Sequence, residues 1–229
     1  MDEIIFELEE VTKTYGEGET LVHALDHVSL QIRKGEFSAL VGPSGSGKST
    51  LLNVMSGLDH PTSGGVFLAG REISHMSSNE LSDFRRDNIG FIFQAYNLIP
   101  VLTVEENIEY VMLLQGVDKK IRRGRVKEIL EDVGLSGKEA SFPPQLSGGQ
   151  QQRVAVARAM VTKPKIILAD EPTANLDSHN GEALVELMEQ MNAKYNVTFI
   201  FSTHDSMIMD HAKRLITIKD GKIFNDEIR

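Results

Sequence analysis

Residues 37–50 read Phe37-Ser-Ala-Leu-Val-Gly-Pro-Ser-Gly-Ser-Gly-Lys-Ser-Thr50 and contain the pattern Gly-x-x-x-x-Gly-Lys-Ser between Gly42 and Ser49. The apolar run before the first glycine predicts a buried strand, and residues 48–55 carry leucine and methionine at helical spacing. A glycine-rich segment that joins a strand to a helix is the setting in which this pattern binds phosphate. The stretch therefore predicts an α/β fold with an anion site at the start of a helix.

The residue types of this loop suit a triphosphate. Glycines adopt conformations closed to residues with a Cβ, so successive N–H groups can turn toward an anion, and the helix start adds its positive dipole end. Lys48 can reach the outer phosphates and Ser49 can ligate Mg²⁺. A glycine-rich turn with a solvated lysine is the alternative. We predict ATP contacts from Gly42, Pro43, Ser44, Gly45, Ser46, Gly47, Lys48, Ser49 and Thr50.

The composition is that of a soluble globular protein, with 229 residues, 41% hydrophobic content and a formal charge of -9. The negative charge argues against a general nucleic-acid binder, which needs a basic surface. The absence of cysteine excludes disulfides and thiolate metal sites. The acidic start is unlike a secretory signal, and no apolar run reaches the roughly 20 residues of a membrane span. We therefore expect another subunit to cross the membrane if the protein acts there.

The pattern changes along the chain. Strand patterns dominate residues 4–41, and helical spacing dominates residues 103–132. We predict one domain in which residues 1–94 and 161–229 form an α/β core with an antiparallel β part, and residues 95–160 form a helical subdomain.

Two local features of the chain are less specific. A polar helix is predicted from Ser78, with Ser78 as its cap. The basic run Lys119–Lys127 is typical of a solvated helix face, with contact to anionic lipid headgroups as the alternative.

Two carboxylates follow the buried strand pattern Ile166-Ile-Leu-Ala-Asp170-Glu171. The carboxyl ends of strands are where α/β sheets bind ligands. Asp170 can hold Mg²⁺, while Glu171 can orient a water for attack on the γ-phosphate. The alternative is a pair of solvated charges beyond a strand.

Three other side chains lie at strand ends. Gln94 either caps a loop or approaches a metal at the phosphate loop. His204 is either structural or donates a hydrogen bond to the γ-phosphate. Tyr15 either covers a hairpin or stacks on a nucleobase, which contributes about 1–3 kcal/mol.

The segment Leu146-Ser-Gly-Gly-Gln150 is a capped helix start with two glycines, and it predicts a second anion site built like the first. One phosphate loop suffices to hold one nucleotide. A second site on a different lobe therefore suggests that two chains face each other, each presenting this segment to the nucleotide of the other.

In that order, the phosphate loop, Gln94, Leu146–Gln150, Asp170–Asp177 and His204 resemble the ATPase subunit of an ABC transporter over essentially the whole chain. The resemblance implies a P-loop NTPase core with an N-terminal antiparallel β subdomain and an inserted α-helical signature subdomain. It also implies a head-to-tail homodimer with two ATP molecules between phosphate loop and signature.

The same resemblance implies a role for each matched residue. Tyr15 is the adenine platform, and Gln94 senses metal and water beside the membrane subunit. The implied catalytic residues are Glu171, His204 and Lys48. The implied metal ligands are Ser49, Gln94 and Asp170. The implied contacts across the dimer come from Ser147, Gly148, Gly149, Gln150 and Asp177.

Residues 94–103 and 146–159 resemble the branch that serves lipoprotein release and macrolide or peptide export, although Ala95-Tyr96-Asn97 departs from the His-containing segment of lipoprotein-releasing members. We predict a cytoplasmic ATPase held at the inner face of the membrane by an integral membrane permease that contacts residues 96–102. A soluble factor acting on ribosomes or nucleic acid is the alternative, but such proteins usually carry two cassettes or an inserted coiled coil. A P-loop kinase would have no use for the second anion site.

Overall fold

The computed structural model describes residues 3–229. In chain order its strands are β1 (Ile4–Tyr15), β2 (Val22–Arg33), β3 (Phe37–Val41), β4 (Ser63–Leu68), β5 (Arg71–Glu72), β6 (Ile89–Ile92), β7 (Ile166–Asp170), β8 (Thr198–Ser202), β9 (Arg214–Lys219) and β10 (Lys222–Ile228). Its α-helices are α1 (Lys48–Met55), α2 (Ser78–Asn88), α3 (Val104–Leu114), α4 (Lys119–Asp132), α5 (Gly148–Met160), α6 (Ser178–Tyr195) and α7 (Ser206–His211). The sequence does not predict β5, which is only two residues long.

The predicted strand before the phosphate loop is β3, and it lies inside a six-stranded sheet of order β10-β9-β3-β8-β7-β6. All five of its residues are buried, including Ser38, as expected for a mostly apolar strand in a parallel sheet covered on both faces. β9, β3, β8, β7 and β6 run parallel, and only β10 is antiparallel to its neighbour. The carboxyl ends of the parallel strands therefore meet at one edge.

A second, antiparallel sheet has the order β2-β1-β4-β5. Burial alternates along β2, where Val28, Leu30 and Ile32 are buried and the residues between them are exposed. This alternation is typical of a strand with one face on a core. The buried face shares its core with Leu51 of α1 and Ile200 of β8, so this sheet and α1 cover one face of the six-stranded sheet.

The helices predicted within residues 95–160 form and cover the opposite face. Ile108 of α3, Leu130 of α4 and Val156 of α5 belong to one buried cluster with Ala169 of β7 and Phe199 of β8. These helices thus have no core separate from the sheet. The division of the chain into subdomains at 94/95 and 160/161 stays a prediction.

The cap predicted for α2 is wrong by one residue. Ser77, not Ser78, is the cap: its hydroxyl accepts from the Glu80 N–H at 3.4 Å, and the Glu80 carboxylate accepts from the Ser77 N–H at 3.0 Å. Ser77 has the extended backbone of a capping residue, whereas Ser78 is already helical. Within residues 3–229, no helix is both long and apolar enough to cross a bilayer.

His211, at the end of α7, joins α7 to α6 through two carboxylates. Its Nε2 lies 3.1 Å from Glu182 Oε1, and its Nδ1 lies 3.2 Å from Glu189 Oε2. Hydrogen bonds to Glu182 and then Glu189 raise the pKa of His211 above its ordinary value. The resulting stabilisation is fully present below the unfolded-state pKa of about 6.5 and is lost as pH rises through the folded-state value.

We expect His211→Gln to lower the free energy of unfolding more at about pH 5.5 than at about pH 8, because only the charged imidazole attracts both carboxylates. The difference should not exceed about 1 kcal/mol, since the site is partly solvated. Urea unfolding at both pH values measures it, with the exposed His75→Gln as control. An equal loss at both pH values would contradict the assigned linkage.

Candidate functional site

Four neighbouring strands bring most of the predicted site residues to one edge of the six-stranded sheet. In the order β3, β8, β7 and β6, the strands lead into the phosphate loop, His204, the Asp170-Glu171 pair and Gln94. The strands are parallel, so these residues share the edge at which α/β folds bind ligands.

The phosphate loop requires glycine at two positions. Gly42 has φ 150°, and a Cβ there would lie 2.1 Å from the Ile218 carbonyl oxygen. Gly47 has φ 107°, and its Cβ would lie 2.5 Å from the Ala24 carbonyl oxygen. Any other residue would have to displace backbone, so the conformation depends on glycine.

Lys48 arches back over this loop. Its ammonium donates to the carbonyl oxygens of Gly42 at 2.7 Å and Pro43 at 3.0 Å. Gly47, which precedes α1, provides no side-chain cap, so the first N–H groups of α1 have no side-chain acceptor there. An open helix start beside a lysine is an anion site.

Asp170 ends β7 next to Ser202 of β8. Burial raises the pKa of its carboxyl, opposed by a hydrogen bond from Ser202 and by the charge of Lys48, while the charge of Glu171 adds to the rise. A half-buried carboxylate whose negative charge is only partly compensated can bind a divalent cation, and Mg²⁺ prefers oxygen ligands. No group of three or more His, Asp or Glu side chains arranged for a metal occurs in residues 3–229. A metal here would therefore depend on Asp170 with hydroxyl, amide and phosphate oxygens.

Glu171 is held at both carboxylate oxygens. Its Oε1 lies 2.6 Å from His204 Nδ1, and the Thr203 hydroxyl donates to its Oε2 at 3.1 Å. Its backbone is in the left-handed region, with φ 45°, and its N–H donates to the Ser202 carbonyl at 2.9 Å. Such a backbone costs about 1–3 kcal/mol and clusters at functional sites. Since the ionised carboxylate accepts from Nδ1–H, the other nitrogen of His204, whose side chain is 76% exposed, can face a ligand.

Tyr15 ends β1 and is 43% exposed. Its hydroxyl donates to Asp59 at 2.7 Å and lies near the Thr50 hydroxyl of α1. The predicted nucleobase platform is thus beside the helix that follows the phosphate loop.

The second glycine-rich segment begins α5. Ser147 caps the helix as predicted, accepting from the Gln150 N–H at 3.3 Å, while Gln150 Oε1 accepts from the Ser147 N–H at 3.0 Å. A Cβ on Gly148 would lie 2.9 Å from the Tyr96 hydroxyl oxygen, so a larger residue there would have to displace the end of that side chain.

The same segment lies near the predicted Asp177. A Cβ on Gly149 would lie 3.2 Å from Asn180 Oδ1, and Asn180 binds both carboxylate oxygens of Asp177 at 3.0 and 2.6 Å. Ser147 and Asp177 are exposed. The structure therefore places the predicted cross-dimer residues on one outward surface.

Two residues of α5 were not predicted as parts of the site. Gln152 is fully buried, and its Nε2 donates to the carbonyl oxygens of Phe93 at 3.3 Å and Pro172 at 2.8 Å. It thereby links the residue before Gln94 to the residue after Glu171. A polar side chain on an otherwise apolar helix face was the signal that could have found it.

Arg158 holds the segment that follows Gln94. Its guanidinium donates to the carbonyl oxygens of Asn97 at 2.5 Å and Tyr96 at 2.9 Å. Tyr96 and Asn97 both have positive φ, 60° and 49°, so this segment has an unusual backbone that Arg158 stabilises.

The chain matches a family model described as ABC transporter over residues 25–174. It is 49% identical over 219 residues to an uncharacterised ABC transporter ATP-binding protein, MJ1508, of Methanocaldococcus jannaschii, covering 96% of this chain and 97% of that one. It is 47% identical over 222 residues to the macrolide export ATP-binding/permease protein MacB of Mannheimia succiniciproducens, covering 97% of this chain and 34% of MacB. The chain thus spans about a third of the length of MacB.

Solved structures agree with the fold. The dimeric cassette MJ0796 in a post-hydrolysis state with ADP and Pi superposes with a TM-score of 0.88 at 43% identity, covering 98% of each chain. CbiO1 of Clostridium perfringens gives a TM-score of 0.90 at 28% identity, covering 99% of this chain and 89% of that one. The predicted fold class is confirmed. The chain belongs to the ABC transporter family, as one of its ATP-hydrolysing cassettes.

Proposed function

We propose that this cassette is a Mg²⁺-dependent ATPase that closes as a homodimer around two ATP molecules and drives a separate membrane permease of the macrolide-export or lipoprotein-release type. The observation that carries the proposal is the presence of two glycine-rich helix starts. One lies at the same sheet edge as Glu171, and the other is exposed at Ser147. A single nucleotide in a single chain would need only the first.

In this scheme the phosphate loop and Lys48 hold the outer phosphates, and Glu171 orients the attacking water. His204, fixed by its Nδ1 contact with Glu171, would donate from its exposed Nε2 to the γ-phosphate in the imidazolium form, in which both ring nitrogens carry a hydrogen. Ser49, Gln94 and Asp170 would provide oxygen atoms for Mg²⁺, which when bound would offset the negative charge of the phosphates.

The second half of each site comes from the other copy of the chain. The N–H groups at the start of α5 and the Ser147 hydroxyl would face the γ-phosphate held by the partner, with Asp177 beside them. The exposure of Ser147 and Asp177 supports this arrangement, as does the dimeric structure of MJ0796.

The permease would dock on a cleft next to Gln94. This cleft has a volume of about 400 Å³, and its lining includes Phe93, Ile99, Tyr110, Leu114 and Arg158. Exposed apolar side chains continue from it to Val101, which is 77% exposed. Exposed apolar side chains beside a cleft are typical of a protein interface. MacB, named as an ATP-binding/permease protein, supports a permease as the partner. Such docking would hold the cassette at the cytoplasmic face of the membrane.

We expect a photo-crosslinking amino acid at position 101 to capture one multi-span membrane protein in native cells, because this surface faces the permease. Position 224 serves as the control. Phe224 is similarly exposed, at 71%, but it belongs to β10, the edge strand at the opposite end of the six-stranded sheet from β6. Mass spectrometry of the adducts identifies the partner. Equal capture of the same protein at both positions, or capture of ribosomal proteins at position 101, would contradict the proposal.

A further inference from the structure

We propose that Lys13 and Asp59 fix the Tyr15 ring as a preformed platform for the nucleobase and connect it to helix α1, so that base and phosphates are bound by one rigid unit. This inference rests on the proposed binding of ATP at the phosphate loop and concerns residues that the sequence does not single out.

Three side chains form the platform unit. The Asp59 carboxylate accepts the Tyr15 hydroxyl at 2.7 Å through one oxygen and the Lys13 ammonium at 2.6 Å through the other. Lys13 also donates to the His60 carbonyl at 2.8 Å. The Tyr15 hydroxyl and two of the three N–H donors of Lys13 are therefore matched by acceptors, which orders the group as a whole.

Lys13 lies over one face of the Tyr15 ring, and we assign the opposite face to the base. Lys13 and Tyr15 are two residues apart on β1, so their side chains leave the strand on the same side. The Lys13 ammonium lies over the Tyr15 ring, 4.9 Å from its centroid, and the Lys13 side chain is only 13% exposed. Lys13 thus lies over one ring face, while Tyr15 as a whole residue is 43% exposed.

The ionisation states favour this arrangement. Partial burial works to raise the pKa of the Asp59 carboxyl, but hydrogen bonds from Lys13 and Tyr15 outweigh it and hold the pKa below its usual value. Burial and then the bond to Asp59 raise the pKa of the Tyr15 phenol. Asp59 therefore stays an acceptor and Tyr15 a donor throughout the neutral range.

The platform is joined to the phosphate site through α1. The backbone N–H groups of Leu58 and Asp59 both donate to the Asn53 carbonyl of α1, at 2.9 and 3.2 Å. The same loop is fixed to β1, because the Thr62 N–H donates to the Thr12 carbonyl at 2.8 Å. α1 begins at Lys48, so a single helix sets the separation between the phosphates and the ring.

We expect Asp59→Ala and Tyr15→Phe each to weaken ATP binding by roughly threefold to tenfold, the range that follows from losing the prior ordering of one side chain. The dissociation constant of inorganic triphosphate should not change, because triphosphate has no base to stack. Calorimetry without Mg²⁺ measures both constants on the same preparation. The double variant should bind ATP no more weakly than Asp59→Ala, since both changes remove the same hydrogen bond.

The chain offers a matched control. Asp132 accepts from Lys194 at 2.6 Å and from the Tyr195 hydroxyl, and Lys194 lies 5.0 Å from the Tyr195 ring centroid. This second Lys-Asp-Tyr unit joins α4 to α6 instead of the base platform to α1. Asp132→Ala removes the same chemistry and should leave both dissociation constants unchanged, with thermal unfolding confirming that each variant is folded.

The outcomes separate this inference from the proposed function. Tyr15→Ala should weaken ATP binding about tenfold or more, and no effect would show that Tyr15 is not the platform. A large effect of Tyr15→Ala with wild-type binding by Asp59→Ala and Tyr15→Phe would overturn only the role of Asp59. If Asp59→Ala weakened the binding of ATP and of triphosphate equally, the role of Asp59 in the platform would also be overturned, because the change would then act on the phosphate loop.

Discussion

Glu171→Gln is expected to retain ATP binding while lowering the rate of hydrolysis by about 10²–10⁴-fold, so that ATP converts the monomer into a persistent dimer. Glutamine has nearly the same shape: its amide oxygen can accept from His204, and its amide N–H can donate to the Thr203 hydroxyl, where Glu171 accepts from both residues. It cannot act as a base or polarise the water as a carboxylate does. The loss of ATPase activity is therefore confined to the chemical step.

Single-turnover hydrolysis and size-exclusion chromatography with ATP and Mg²⁺ measure the two effects of Glu171→Gln. Glu186→Gln, an exposed change of the same kind on α6, should behave as wild type in both assays. Normal turnover by Glu171→Gln would exclude Glu171 as the residue that positions water. Loss of ATP binding would mean that its carboxylate is needed to shape the pocket.

Ser147→Arg is expected to lower ATP hydrolysis by more than about 100-fold without changing the affinity of the monomer for ATP. Ser147 is exposed and caps α5, and its predicted contact is with the nucleotide of the other copy. The arginine side chain would fill the predicted anion site at the start of α5 and prevent closure of the dimer. The lost cap costs about 1 kcal/mol of stability, which is not enough to unfold a domain of this size.

ATP affinity is measured on dilute Ser147→Arg without Mg²⁺, and hydrolysis is measured at higher protein concentration with Mg²⁺. Ser136→Arg adds the same side chain at another exposed serine and should leave hydrolysis unchanged. Weaker ATP binding by the Ser147→Arg monomer would place Ser147 in the pocket of its own chain. Unchanged hydrolysis would remove the need for a second chain.

Features encoded by neighbouring residues were predictable from the sequence. The apolar run before Gly42 predicts β3, and the same reasoning places Asp170 and Glu171 at the end of β7, because strand burial and loop glycines are local properties. The cap of α2 was misplaced by one residue because Ser77 and Ser78 differ only in backbone conformation.

Features that depend on distant or backbone partners were not predictable. Gln152 and Arg158 bind carbonyl oxygens, which every residue possesses, so no sequence pattern marks their partners. The sequence alone allows two interpretations of Tyr15, as a residue that covers a hairpin or as one that stacks on a nucleobase. Its bond to Asp59, 44 residues away, depends on how β1 and the loop after α1 meet in three dimensions.

The shared core beneath α3, α4 and α5 has a consequence for engineering. Ile108 and Leu130 are buried together with Phe199 of the sheet. Excising residues 95–160 would therefore expose apolar surface on both fragments and cause them to aggregate. Chimaeras between relatives should therefore exchange whole cassettes. If a permease docks as proposed, force on these helices would reach the edge of the sheet through the close-packed side chains of this shared core.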